Sequence, residues 1–233
     1  MRPIRRLLPG CLLALIAVSY MAASVSAKED RALLVCTPDK CVSSWTRTSD
    51  GGLSAEIIGD FRVDYKEYTI SGKQGLFSQP PQDKSQSTTK LRAVVTVDPR
   101  LAQSGDDAFE LTAGDRIEID LDDEQITATG GIRINAKDTL ITAQQLVGGP
   151  LANMRPIIER ICEAMQERIV LLVRQWLDGA DTSDRLMLIE GDVNAVDPGF
   201  TFRGQQLVAN LTSESYLFIG PHTMEMNVEE EED

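Results

Sequence analysis

Cys36 and Cys41 stand five positions apart, with Pro38-Asp39 between them as a turn signal. A local disulfide is the chemistry this spacing favours, because a tight turn brings two thiols together. A redox or metal role is the other reading. It matches less well, since the spacing is not C-x-x-C and no second pair accompanies it. Cys162 lies on the apolar face of a helical stretch and reads as a small buried hydrophobe. His222 is the only histidine, which makes a His-based triad or a multi-His metal site hard to build. Asp120, Asp122, Asp123 and Glu124 gather carboxylates of the kind Ca²⁺ takes, without EF-hand spacing; a solvated hairpin turn accounts for them. No Gly-rich phosphate loop opens a helix, and no G-x-S-x-G elbow occurs. No catalytic residue, metal or cofactor is therefore expected, and the chain does not read as an enzyme. Asn210-Leu211-Thr212 fits a glycosylation sequon.

The 233 residues carry 23 Lys and Arg against 36 Asp and Glu, a net charge of −13. That balance argues against nucleic acid, whose phosphates need clustered bases. Aromatics at 5% leave little for stacking on single strands. An apolar share of 42% is enough for a sizeable core. Residues 1–27 read as a cleaved signal peptide: Arg2, Arg5 and Arg6, then an apolar run from Cys11, then Val25-Ser26-Ala27 before a polar start at Lys28. The alternative is a retained inner-membrane anchor. Cleavage removes those three Arg, leaving 20 bases against 36 acids, a net of −16. It also implies an exported, periplasmic chain in an oxidising compartment.

Most of residues 28–225 reads as one mainly β domain. Alternation marks Phe61 to Tyr65, Val94 to Val97, Ile117 to Leu121, Ile132 to Ile134 and Phe200 to Phe202, each with one face to bury. Turn signals separate them, among them Ala136-Lys137-Asp138 and Asp197-Pro198-Gly199. Gln79 to Lys90 is polar and Pro-rich, a loop composition. One amphipathic helix is expected over 153–179, capped by Asn153, with Pro156 in its first turn and Gly179 at its end. Packing on the sheet, a lid over an apolar groove and a partner-binding helix all suit its apolar stripe. Residues 226–233 form an acidic tail.

A repeat runs through the strands. Gly59-Asp60-Phe61-Arg62-Val63, Gly130-Gly131-Ile132-Arg133-Ile134 and Gly191-Asp192-Val193-Asn194-Ala195 share one pattern. Thirteen residues after each leading glycine comes a small residue: Gly72, Ala143 and Gly204. Each unit reads as a strand pair that cannot bury its apolar face alone, so stacked units would share an interior.

Ala113 to Asp120, Gln125 to Ile134 and Asp138 to Leu146 together resemble the OstA-like, LptA-type family of lipopolysaccharide-transport domains. The likeness is fainter over Leu53 to Leu76 and Leu186 to Leu211. It implies an antiparallel β-jellyroll, or folded β-taco, whose apolar groove holds lipopolysaccharide or a similar envelope lipid. It also implies joining to other proteins of that kind, or to itself, through strand edges. The groove candidates are the inward members of the alternating runs: Ile117, Ile119, Ile126, Ile132, Ile134, Leu140, Val193 and Phe202. An ordinary closed β core would use the same residues. A structural or adaptor module, pairing by its edges with no lipid inside, is the second functional expectation.

Overall fold

The computed structural model describes residues 33–49, 51–80, 91–105, 108–120, 123–210, 212–213 and 215–226. The expected signal peptide, the loop at 81–90, Asp122 and the tail from 227 lie outside these residues. The described chain is mainly antiparallel β, in the order β1 (Leu33–Arg47), β2 (Leu53–Tyr65), β3 (Tyr68–Gln79), β4 (Arg92–Val97), β5 (Arg100–Gln103), β6 (Phe109–Ala113), β7 (Arg116–Asp120), β8 (Gln125–Ala136) and β9 (Thr139–Pro150). Helices α1 (Leu151–Cys162) and α2 (Glu167–Asp178) follow, then β10 (Arg185–Asp197), β11 (Phe200–Asn210) and β12 (Ser215–Met226).

Followed from partner to partner, β3, β4, β7, β8, β6 and β5 close an antiparallel ring of six strands. The ring holds two interrupted strands. β4 and β5 lie end to end along β3, and β7 and β6 lie end to end along β8. Between them Arg92↔Asp120, Val95↔Ile117, Arg100↔Thr112 and Gln103↔Phe109 keep a single register. Outside the ring each ladder joins neighbours in the chain, β1 to β2 and β2 to β3 on one side and β8 through to β12 on the other, whereas the ring is closed by the strand-skipping ladders β3–β5, β4–β7 and β6–β8.

Each long strand is broken near its middle, and the breaks line up. They fall between Cys36 and Cys41, Ile58 and Phe61, Thr129 and Ile132, Glu190 and Val193, and Gly204 and Gln206. Gly59, Gly130 and Gly191 occupy them at φ of 104°, 90° and 77°, where an L side chain is strained. Space is also short. A Cβ on Gly59 would fall on the Lys40 carbonyl oxygen, and one on Gly130 would fall on Asp115. The paired residues explain the thirteen-residue spacing: Phe61↔Gly72, Ile132↔Ala143 and Val193↔Gly204 face each other beside the break. The repeat is a creased hairpin.

The crease lets the two halves of each strand face one another. Phe61 and Phe77, on opposite sides of it, meet edge to face at 5.6 Å, and Phe202 stacks on Phe218 at 4.4 Å. Between the halves runs one apolar core, from Ala55 and Ile57 through Leu101, Leu111 and Ile134 to Leu207. Burying such side chains stabilises by about 1.5–3 kcal/mol each. Arg185 clasps the strand ends opposite the crease. It donates to the Tyr68 hydroxyl and pairs with Glu124 at 2.7 Å. Burial pushes the Tyr68 phenol above its ordinary pKa.

The single helix expected over 153–179 is two. Glu163 and Met165 close α1 with bonds to the Arg160 and Cys162 carbonyls, and Gln166 is extended at ψ 139°. Asn153 is not the cap; Pro150 holds that place, and Asn153 Nδ2 donates to the Asp123 carbonyl instead. Leu151, Met154, Ile158, Cys162, Val173 and Leu177 pack on Leu186, Leu188, Val208 and Ile219 of the sheet's outer face, a second core. β10 is therefore buried on both faces, with Met187 and Ile189 in the first core and Leu186 and Leu188 in the second. The helical pair is held at its root by Leu151 N–H on the Asp184 carbonyl and by Asn210 on the Asp184 carboxylate at 2.6 Å. Asn210 is buried in this role, which removes it as a glycosylation acceptor.

Candidate functional site

Ile117, Ile119, Ile126, Ile132, Ile134, Val193 and Phe202 all point between the two halves of the sheet, each under a tenth exposed. The facing layer covers them, so the middle of the interior is filled by side chains. Leu140 does not join them. Its neighbour Ile141 takes the inward place, and Leu140 sits half-buried on the other face, between Asn135 and Val196. The alternation shifts by one residue at the tight turn Ala136-Lys137-Asp138-Thr139, where Lys137 has φ 49°.

At the margins the apolar core meets solvent. A hollow of about 400 Å³ opens where Ala108, Ala136, Ile141 and Phe200 of one half meet Tyr216 of the other. That volume is within the range of small-ligand sites, roughly 300–1,000 Å³. Lys137 and Asp138 stand at its rim. Asp197 fixes the rim: Thr139 Oγ1 donates to it at 2.6 Å and Gly199 N–H at 3.0 Å, which binds two adjacent turns together. Deeper in, Phe200, Phe202, Tyr216 and Phe218 form an aromatic cluster, and the His222 ring lies against Phe202 and Phe218. Met224 and Met226 extend it along β12, exposed. At the far margin Trp45 and Leu53 are exposed apolar side chains, with Trp45 paired to Ala55 of the core.

Sequence reasoning took Phe202 from this cluster and missed Phe200, Tyr216 and Phe218. Their signal is two aromatic pairs at a spacing of two, Phe200-Thr201-Phe202 and Tyr216-Leu217-Phe218, on neighbouring strands.

Cys36 and Cys41 are joined by a disulfide. It spans the break in β1, where Cys36 pairs with Phe61 and Cys41 with Gly59. The bridge thus pins the crease at one margin of the sheet. Cys162 is free and buried, and burial pushes its thiol pKa up.

The acidic turn is partnered by cations of the chain itself: Asp120 by Arg92 at 2.6 Å and Glu124 by Arg185. Among the described residues no three His, Cys, Asp or Glu side chains converge as metal ligands. No helix among them is long and apolar enough to cross a membrane. The hollow offers apolar and aromatic walls under a polar rim, so its chemistry is desolvation of an apolar group with a polar part left at the mouth. No family model matches the chain, and no curated protein matches it.

Proposed function

We propose that the chain is an exported lipid-binding protein of the OstA-like kind, a folded β-taco that receives the acyl part of lipopolysaccharide or a similar envelope lipid. The observation that carries this reading is the hollow at Phe200, Tyr216 and Ile141, whose walls come from both halves of a creased antiparallel sheet. The repeat-borne crease supports the same reading. Each methylene moved from water to the apolar interior gains roughly 0.8 kcal/mol. A chain going deeper than Phe200 has to part the packed layers at Ile134 and Phe202. The periplasm is the compartment this reading requires.

A photocrosslinking residue at Tyr216 tests it, in protein isolated from its own envelope, with Arg133 on the outer face as the control. Lipid adducts at 216 and none at 133 are expected. Folded protein giving no lipid adduct at 216 or at Ile132 refutes lipid carriage.

A second reading rests on the sheet margins. β1 and β12 are each paired on one side only among the described residues. An adaptor would extend the sheet there by strand addition to another envelope protein or to its own kind. Crosslinks between chains at β1 or β12, with no bound lipid, favour this alternative.

A further inference from the structure

The outward side of α2 has no work in the fold. Val173 and Leu177 take its inward side. Arg168, Leu171, Leu172 and Gln175 follow the i, i+3, i+4, i+7 spacing of a single helical face, and all four are exposed. Leu171 and Leu172 are each 57% exposed, and Ile169 beside them 40%. Solvent-facing helix positions normally carry polar groups, so adjacent leucines there are a local exception.

The charge is exceptional too. The chain carries 36 acids against 23 bases, yet α1 and α2 with their connection hold four of each: Arg155, Arg160, Arg168 and Arg174 against Glu159, Glu163, Glu167 and Asp178. Arg155 is engaged with Asp178. Arg160, Arg168 and Arg174 have no ion pair among the described residues. The acids of α2 stand at its two ends, Glu167 and Asp178, which leaves its middle with Arg168, the leucines and Arg174. The helix is also held in place through the Arg155–Asp178 link and the second core beneath it.

We propose that α2 docks this protein on a bilayer surface with anionic headgroups. Leu171, Leu172 and Ile169 enter the headgroup boundary, while Arg168 and Arg174 meet lipid phosphates. Apolar side chains flanked by Arg on a surface helix are the composition that lies in such an interface. The excess acid elsewhere sets the orientation, because the rest of the surface is repelled by the same headgroups. This inference does not depend on what the interior holds.

The test places a single tryptophan on the face in the full chain: Leu172→Trp with Trp45→Phe and Trp176→Phe. Its fluorescence is read against vesicles of phosphatidylcholine with about a third phosphatidylglycerol, their acyl chains brominated as quenchers. A second protein carries the tryptophan at Ile58, on the outer sheet face. Quenching at position 172 and none at 58 is expected. Adding Arg168→Gln and Arg174→Gln should weaken apparent binding about 25-fold, near fivefold for each arginine at a charged surface. Position 172 reads α2 itself, so attachment through another part of the chain does not imitate the result. Equal quenching at 58 and 172, or none at 172, overturns the proposal. So does a tryptophan at 172 that is shielded in concentrated protein without vesicles and remains unquenched when vesicles are added, since a second copy would then be the occupant.

Discussion

The crease can be tested with three glycines that differ in what a methyl group would meet. Gly131 has φ of 81° with open space around it, so Gly131→Ala adds backbone strain alone. Gly114 has no positive φ, but its Cβ would fall on the Gly130 carbonyl oxygen, so Gly114→Ala adds crowding alone. Gly130 has both, a φ of 90° and Asp115 in the way of the Cβ. Strained backbone costs about 1–3 kcal/mol and overpacking about 1–3 kcal/mol. Gly131→Ala should therefore cost about 1–2 kcal/mol, Gly114→Ala about 2–3 kcal/mol and Gly130→Ala about 3–5 kcal/mol. At this chain length each kcal/mol lowers Tm by roughly 2–4 °C. Urea unfolding followed by circular dichroism gives the three values. Asp115→Gly in the Gly130→Ala background should recover about 1–2 kcal/mol, because the blocking carboxylate is gone while the Asp115 N–H bond to Thr129 remains. The reasoning fails if Gly130→Ala is no worse than Gly131→Ala, or if Asp115→Gly recovers nothing.

Three further outcomes follow from the packing. Replacing Cys36 and Cys41 together by Ser should cost about 2 kcal/mol in urea unfolding, the loop entropy of a bridge closing so short a segment. Ile141→Asp should prevent folding, whereas Leu140→Asp should cost under about 1 kcal/mol, by expression and thermal melting; equal damage would contradict the two-faced placement of β9. Stability should fall as pH rises through and beyond the ordinary thiol range near ~8.5. The folded Cys162 thiol resists ionising while the unfolded one does not, so its contribution is complete below the unfolded pKa and is lost above it. Cys162→Ala should flatten that slope in melts taken between about pH 7 and 10.

Much of the sheet was legible because its breaks are written in glycine. Gly59, Gly130 and Gly191 stand out at a fixed distance from Gly72, Ala143 and Gly204, and both members of each pair are small for a reason that acts locally. The alternating runs likewise placed Ile117, Ile119, Ile132 and Ile134 on the inward face. The helix break was illegible, because no Gly or Pro lies between Cys162 and Glu167 and the apolar spacing carries on through Ile161 and Met165. Leu186-Met187-Leu188-Ile189 gave no alternation to read, since a strand buried on both sides has no polar phase. The hollow was out of reach for a different reason. It is made by turns and strands about 60–80 residues apart, Ala136 to Thr139 and Asp197 to Tyr216, and only the folding of the sheet across its crease brings them together.

The sequential ladders also bear on how the molecule is made. The creased hairpins β2–β3, β8–β9 and β10–β11 pair consecutive strands, so each can join its own two strands without a third, whereas β4 waits for β7 across two intervening strands. Loop closure is cheap for these hairpins, and the ring, closed between Arg92 and Asp120, is the step that asks for more. The same order makes length a free variable. A hairpin unit added or removed outside the ring, where each strand meets only its neighbours in the chain, would leave the ring closed, as in repeat proteins whose units meet their neighbours alone.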